Sequence, residues 1–190
     1  EMRLRDGRRD PNHASVVMTP LSTAHPIQVQ GPMHVIGAAL TPLGWAALTG
    51  LHAGENCDRL VRASAVLGQE AADLGDALNA DYLSGAKSGQ ECALAIGEFL
   101  KDRFKPINPR HAELINTWLG SSLNPNLADL SEAAAYSTRQ VQRLTERYFG
   151  LPPQALARKY RALRAAALLS FPSLTPDFEV QLADAFFDQS

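Results

Sequence analysis

The chain has 190 residues, of which 45% are hydrophobic and 20% are charged, and its formal net charge is −2. This length holds one large domain or two small ones, with enough apolar content for hydrophobic cores. A slightly acidic balance, if it were evenly spread, would argue against a nucleic-acid partner. Because the sequence begins with Glu1 instead of methionine, we expect a fragment or a processed chain.

The two cysteines, Cys57 and Cys92, lie far apart and form no Cys-x-x-Cys unit. A disulfide framework or a four-cysteine zinc site is therefore not expected, and a reducing cytoplasm is the simpler setting. The first residues lack the apolar segment of a secretory signal, and no apolar run approaches the ~20 residues of a membrane span. We expect a cytoplasmic protein with no membrane partner.

Residues 14–41 have a β-like composition, in which prolines and a glycine interrupt short runs that contain β-branched residues. These runs predict strands at Ser15–Met18, Ile27–Gln30 and His34–Leu40. Three such strands cannot cover both faces of a sheet. They must pack on helices, or belong to a larger sheet that this chain lacks.

From Thr41 onward the pattern becomes helical, beginning with an N-cap threonine followed by a first-turn proline. The helices predicted before residue 105 are Leu43–Leu51, Glu55–Arg62, Ala65–Leu83 and Ser88–Phe104. The stretch 105–110 holds two prolines in six residues. We therefore place a domain boundary there, between residues 1–107 and residues 108–190.

Past the boundary, local signals divide the chain into further helices. A helix is predicted at Arg110–Leu119, and Asn126 is expected to cap a helix that starts at Leu127. Gly150 supplies a C-terminal stop, and Pro153 starts a long helix over 154–170. Thr175 and Pro176 predict one more short helix, followed by a last segment at 182–190.

The stretch 127–150 is the most informative part of the sequence. Ser137 and Gln140 form a capping box, which starts a new helix at Thr138 only a few residues after the previous one ends. Each helix has an apolar stripe at helical spacing: Leu127, Leu130 and Ala134 on the first, and Val141, Leu144 and Tyr148 on the second. Two helices joined this tightly predict a helix-turn-helix reader of the DNA major groove.

Charge is concentrated just after this break. Between Thr138 and Arg164, seven basic side chains face one acid, Glu146, for a net charge of +6. We call residues 138–164 the basic segment. Residues 1–108 instead carry 10 basic and 12 acidic side chains. Because salt screens phosphate attraction over roughly 10 Å, this local concentration matters more than the charge of the whole chain.

These residues resemble the DNA-binding domain of AraC/XylS-type transcription regulators. The resemblance covers residues 109–190 and rests on Leu130, Ala134, Ser137, Arg139, Val141, Gln142, Arg143, Leu144, Tyr148, Gly150, Pro153, Arg161, Ala165, Leu168, Leu169, Phe186, Asp188, Gln189 and Ser190. It implies two helix-turn-helix units joined by a long helix. The second recognition helix would start just after Asp188, so we expect the second unit to be truncated.

Residues 33–68 resemble, more weakly, the region ahead of that domain in a subset of AraC-like proteins. The shared elements are Val35, Gly37, Pro42, Gly44, Leu48, Gly50, Asp58, Leu67 and Gly68. In those proteins more β structure precedes this region, so any effector pocket is expected to be incomplete here. Three residues depart from the family's pattern: Ala135 and Ala185 stand at the turns, where glycine is usual, and Thr145 stands where an aromatic residue is usual.

The face opposite the apolar stripe of the second helix supplies the candidate DNA contacts. Arg139, Gln142 and Arg143 are the base-reading candidates, because arginine suits the O6 and N7 acceptors of guanine and glutamine suits N6 and N7 of adenine. The alternative for the arginines is a solvated face paired with Glu132 or Glu146. Phosphate contacts are expected from Thr138, Arg147, Arg158, Lys159, Arg161 and Arg164.

For Arg161, pairing with an acid at the edge of the core is the stronger interpretation, because it lies on the long helix. If that helix separates two recognition helices by about 34 Å, both would enter successive major grooves in the intact protein.

Other chemistry has little support in the sequence. The five histidines are scattered, without metal-ligand spacing, and no Ser/His/Asp or Cys/His set is visible. Residues 84–89 contain glycines but lack the upstream glycine of a phosphate-binding loop. We expect no enzyme, no cofactor and no metal, and we expect Trp45 and Trp118 to be core anchors.

The sequence thus predicts a mainly helical transcription regulator with a short β-rich N-terminal segment packed on helices. Duplex DNA is the expected partner, while a small-molecule effector, a second copy of the chain and RNA polymerase remain open as further partners. Residues 1–107 would form a partial regulatory, effector or dimerisation domain. Two alternatives stay open: a protein–protein module with a degenerate helix-turn-helix and an acidic partner, and a small-molecule sensor working through residues 1–105.

Overall fold

The computed structural model describes residues 1–170 and residue 180, apart from the side chains of residues 168 and 169, and its fold is mainly helical. The helices are α1 (Pro42–Thr49), α2 (Ser64–Leu67), α3 (Gln69–Ser84), α4 (Gly89–Lys101), α5 (Arg110–Ser121), α6 (Leu127–Ala134), α7 (Thr138–Phe149) and α8 (Pro153–Leu169). The elements predicted after residue 170 lie outside the described part of the chain.

The β structure consists of two small antiparallel pairs near the N-terminus. Strand β1 (Met2–Arg3) pairs with β2 (Arg9–Asp10), and β3 (Val16–Met18) pairs with β4 (Leu60–Arg62). Of the three predicted strands, only the one at 15–18 is confirmed. Ile27 makes an isolated bridge to Met2, and residues 34–40 form no strand.

The helix predicted at Glu55–Arg62 is wrong, because its last residues form β4 against β3. Asp10 helps to hold β4 in place. Its carboxylate accepts hydrogen bonds from the Leu60 backbone N–H at 2.8 Å and from Arg59 Nε at 2.9 Å. These partners lie about fifty residues from Asp10 in the sequence, so a local pattern could not reveal them.

The predicted helix Ala65–Leu83 is divided into α2 and α3 at Gly68. This glycine has φ 86°, a conformation that interrupts the helical path and that only glycine adopts easily. Gly75, in the middle of α3, lies against Ser15: a Cβ atom added there would stand 2.4 Å from the Ser15 Cβ. The β segment therefore packs directly on the backbone of α3.

The chain divides into two compact units. The first comprises Glu1–Asn108 and Arg147–Gly150, and the second comprises Pro109–Glu146 and the described residues from Leu151 on. In the first unit, Met2, Leu4 and Leu60 form a buried cluster with Leu21 packed against it. No helix in the described part of the chain is long and apolar enough to cross a membrane.

The second unit is built around α5 and α6, which pack on each other. Ile115, Leu119, Leu130 and Leu156 are among the most deeply buried side chains. Trp118 is buried, as predicted, and its indole Nε1 donates to the Asn126 backbone oxygen at 2.7 Å. This bond fixes the loop that leads into α6.

Candidate nucleic-acid interface

The connection between α6 and α7 is a three-residue turn held by backbone and capping hydrogen bonds. Ala135 has φ 54° and ψ 39°, so an alanine occupies the left-handed region that favours glycine. Its N–H donates to the Glu132 oxygen at 3.0 Å. The turn departs from the glycine usual in the resembling family, yet it keeps the left-handed conformation.

The capping box predicted at the start of α7 is confirmed. The Ser137 N–H donates to Gln140 Oε1 at 3.0 Å, and the Gln140 N–H donates back to Ser137 Oγ at 3.4 Å. These bonds satisfy donors that the first turn of a helix otherwise leaves without partners. The first turn of α7 is therefore defined by its own sequence. Asn126 caps α6 in a similar way, accepting from the Ala128 N–H at 3.0 Å.

The buried face of α7 is turned slightly from the predicted stripe. Val141, Thr145 and Phe149 are buried, whereas the predicted core residues Leu144 and Tyr148 are only half-buried. Thr145 is 0% exposed, and its hydroxyl donates to the Gln142 backbone oxygen at 2.9 Å. A residue smaller than the usual aromatic is thus accommodated without an unsatisfied polar group.

The opposite face of α7 presents the predicted base-reading residues to solvent. Arg139, Gln142 and Arg143 are all exposed, as are Thr138 and Arg147. Arg139, Arg143 and Arg147 follow one another at intervals of four residues, so their side chains lie along one line of the helix. We call this line of three residues the arginine row.

The arginine row has no acidic partner within the described residues. The predicted alternative was pairing with Glu132 or Glu146, but neither glutamate forms an ion pair with the row in that part of the chain. Glu146 instead accepts a hydrogen bond from Gln142 Nε2 at 3.0 Å. The guanidinium groups of the row thus keep their charge available to a partner outside the protein.

The basic residues of α8 fall into different environments. Arg158 is exposed, and Lys159 and Arg164 are half-buried; Arg164 Nη1 donates to the Ser122 backbone oxygen at 3.1 Å. Burial raises the pKa of the neighbouring Tyr160 phenol, and the charge of Arg164 opposes this shift. The basic groups of α8 therefore differ in their exposure to solvent, and Arg158 is the most exposed of these three.

Arg161 is a correction to the predicted phosphate contacts. Its side chain is only 6% exposed, and Nη1 donates to Asn124 Oδ1 at 3.2 Å. A guanidinium in this position ties α8 to the loop before α6 and does not present its charge to a phosphate. The sequence suggested an acid at the edge of the core as its partner, whereas this hydrogen bond is made to the neutral amide of Asn124.

An open cleft of about 420 Å³ lies beside Arg158 within the second unit. It is lined by Trp118 of α5, by residues at the start of α6 and by residues of the first turns of α8: Asn124, Pro125, Asn126, Leu127, Gln154, Ala157 and Arg158. No carboxylate is among these lining residues. Arg158 is the one charged residue among them.

Sequence reasoning missed a polar cluster in the first unit. Asp58, which has φ 59°, accepts from the Ser22 N–H at 2.7 Å and contacts His25 Nε2 at 3.0 Å. Burial opposes ionisation of Asp58, but the hydrogen bonds from Ser22 and His25 lower its pKa overall. The cluster joins the segment before β4 to the segment around residue 22, and a single sequence holds no signal of that pairing.

The two cysteine thiols lie within the folded structure. Cys57 is half-buried with its Sγ donating to the Gly54 oxygen at 3.3 Å, and Cys92 is buried. Across the described residues, no group of three or more histidine, cysteine, aspartate or glutamate side chains has a metal-binding arrangement.

Tests against protein-family models find none that matches this chain, and comparisons with curated proteins and with solved structures likewise find no match.

Proposed function

We propose that the chain is a sequence-specific DNA-binding transcription regulator that reads the major groove with α7. In this proposal α6 and α7 form a helix-turn-helix of the AraC/XylS type, and residues 1–107 have a regulatory or dimerising role in the cytoplasm. The observation that carries the proposal is the arginine row: three exposed guanidinium groups on one line of α7 without an acidic partner among the described residues.

The arginine row carries an energetic cost in the free protein. Like charges at i and i+4 destabilise a helix by roughly 0.2–0.5 kcal/mol per pair. The row contains two such pairs, Arg139 with Arg143 and Arg143 with Arg147. A phosphate backbone converts this repulsion into attraction, because each neutralised phosphate releases a condensed counterion. The electrostatic energy of the row is therefore more favourable when a polyanion is bound than in the free protein.

The scaffold under the row supports a rigid reading surface. The capping box fixes the first turn of α7, while Val141 and Thr145 anchor the opposite face in the interior. A helix held at its start and along one side presents its outer side chains in a defined register. Such a register is what sequence-specific contact with base edges requires.

Within this surface the residues divide by role. Arg139, Gln142 and Arg143 contact base edges, since they occupy the first turns of α7, which enter the groove in this type of motif. Thr138, Arg147, Arg158, Lys159 and Arg164 contact phosphates and set the register. Arg161 has no place in this set, because its guanidinium is buried against Asn124.

The test is selection of bound duplexes from a random library by the full chain, followed by salt titration on the selected and on scrambled sequences. We expect a preferred sequence of a few base pairs. We also expect log K to fall against log salt with a slope of about −3 to −4, from four cationic phosphate contacts. Absence of any sequence preference at every salt concentration would overturn the proposal and would favour an acidic protein partner for the same face.

A matched pair of variants distinguishes a specific contribution of α7 from the general effect of removing one positive charge. Arg143→Ala removes one exposed arginine from α7, and Arg62→Ala removes one exposed arginine from β4. We expect only the first to change the selected sequence. Equal effects of both variants on every duplex would contradict the assignment of α7 as the reading helix.

A further inference from the structure

Glu146 is the only acid in the basic segment, and it lies one helical turn after Gln142. The Gln142 Nε2 atom donates to the Glu146 Oε1 atom at 3.0 Å. Glu146 is half-buried, whereas Gln142 is exposed. An acid on a surface that faces phosphates is repelled by them, so its position next to a base-reading amide calls for an explanation.

The hydrogen bond dictates which way the Gln142 amide is turned. An ionised carboxylate has no proton and can only accept hydrogen bonds. The amide nitrogen must therefore lie toward Glu146, because the reversed amide would place two acceptor oxygens against each other. The Gln142 oxygen and the second amide hydrogen remain free to meet a base.

We propose that Glu146 is a positioning residue for base recognition: it holds the Gln142 amide in the orientation that accepts from adenine N6 and donates to adenine N7. This inference rests on the proposed function and names the base that Gln142 selects. The reversed amide would donate to O6 of guanine. By excluding that orientation, Glu146 rejects guanine at the same position.

The surroundings of the pair favour this role over a general electrostatic one. No arginine of α7 forms an ion pair with Glu146 within the described residues, so the carboxylate is not engaged by the neighbouring row. The spacing of four residues keeps the two side chains on adjacent turns of one face. When a duplex excludes water from this face, the amide hydrogen of Gln142 satisfies an acceptor that would otherwise lose its partner.

The experiment compares base preference between the full-length chain and its variants on the selected duplex, with each of the four base pairs placed in turn at every position. The original chain is expected to prefer adenine over guanine at one position by roughly tenfold. Gln142→Ala should remove this preference. Glu146→Ala and the isosteric Glu146→Gln should reduce it to less than about threefold, because both variants permit the reversed amide.

Glu132→Ala is the matched control, since it removes one exposed acid from α6 without touching Gln142. Both alanine variants lose a negative charge and should bind all duplexes somewhat more tightly, but only Glu146→Ala should change the preferred base. Retention of the full preference by both Glu146 variants would overturn this inference while leaving DNA binding intact. Lack of preference in the original chain would instead overturn the proposed function.

Discussion

Charged residues are used differently in residues 1–108 and in the basic segment. In the first region acids and bases lie next to each other, in the pairs Asp6 with Arg8, Glu1 with Arg9, Asp10 with Arg59, Asp81 with Lys87 and Glu70 with Arg103. In the basic segment the arginine row has no acidic partner among the described residues. Many charges in the first region are neutralised by a neighbouring ion-pair partner, whereas those of the arginine row are not.

This difference distinguishes charged residues that affect the free energy of unfolding from charged residues that are expected to affect binding. An exposed ion pair contributes only about 0–1 kcal/mol, so most of the pairs in residues 1–108 do little for stability. Asp10 is the exception, because its carboxylate is buried and also accepts a backbone hydrogen bond. The arginine row contributes repulsion to the free protein. Variants in the two regions should therefore affect different measurements.

The largest effect is expected from Asp10→Ala. Removing this buried acceptor leaves the Leu60 N–H and one side of Arg59 without their partner, which should lower the free energy of unfolding by about 2–3 kcal/mol. Urea denaturation measures the change, with Asp6→Ala as the control because Asp6 is exposed. A midpoint as little affected by Asp10→Ala as by the control would show that β4 does not depend on this carboxylate.

Lowering the pH should reproduce part of the loss in the free energy of unfolding that is expected for Asp10→Ala. The hydrogen bond from Arg59 lowers the pKa of Asp10 below its ordinary value of 3.8, although burial opposes the shift. A lowered pKa in the folded state means that the stabilisation is complete above pH 3.8 and is lost as pH falls through the lower folded value. As the pH falls from 4 through the folded-state pKa of Asp10, the denaturation curves of the original chain and Asp10→Ala should therefore approach each other.

Arg143→Ala should have opposite effects on binding and on stability. We expect a loss of roughly 1–3 kcal/mol at one base pair, with relaxed preference there. Removing two like-charge pairs should leave α7 unchanged or more stable by a few tenths of a kcal/mol. Anisotropy titrations and thermal unfolding test both expectations, and a clear drop in thermal stability would mean that Arg143 has a structural partner.

Gly75→Ala tests the close packing of the first unit. A Cβ at this position would stand 2.3 Å from Ser15 Oγ, so the β segment must shift, which should lower stability by about 1–2 kcal/mol. Gly97→Ala is the control, since no atom lies within 4 Å of the added carbon. The control should instead raise stability by about 0.5–1 kcal/mol through helix propensity. A gain for both variants would contradict the contact between Ser15 and α3.

Ala135→Gly tests the turn before α7. Glycine relieves the left-handed strain at φ 54°, so stability should rise by up to about 1 kcal/mol. Ala133→Gly, inside α6, should lower it by about the same amount. Urea denaturation compares the two variants. If both glycines destabilise equally, the backbone at residue 135 is not left-handed in solution.

Arg147→Ala should give the smallest effect, spread evenly over all duplexes. As a phosphate contact it carries no base information, so its loss should make the slope of log K against log salt shallower by about 0.9. Titrations on the preferred and the scrambled duplex measure this. A change in the preferred sequence would place Arg147 among the base readers instead.

How much of this could be predicted from the sequence depended on how local the determinants are. The capping box of α7, Asn126 and Gly150 act within a few residues, and α6, α7 and α8 begin close to where the sequence indicated. Pairing of β3 with β4 joins residues more than forty positions apart, so the predicted helix over 55–62 was wrong. The split at Gly68 was missed because an isolated glycine inside a helical pattern is usually tolerated.

The same rule holds for the candidate site. Exposure of Arg139, Gln142 and Arg143 followed from helical spacing once the apolar stripe was recognised. Burial of Arg161 depends on Asn124, 37 residues earlier, and no local pattern shows that contact. The turned stripe of α7 has a similar cause, because burial of Thr145 reflects the tertiary surroundings of the helix and not its own periodicity.

The uneven charge also has a kinetic consequence. Residues 138–164 carry a net charge of +6 in a chain whose formal charge is −2, so positive potential is concentrated around this segment. Under the proposed function, this local field would turn the arginine row toward the phosphates of a duplex before the two surfaces touch. Orientation by the long-range field would raise the fraction of productive encounters, and added electrolyte would slow capture more than it hastens release.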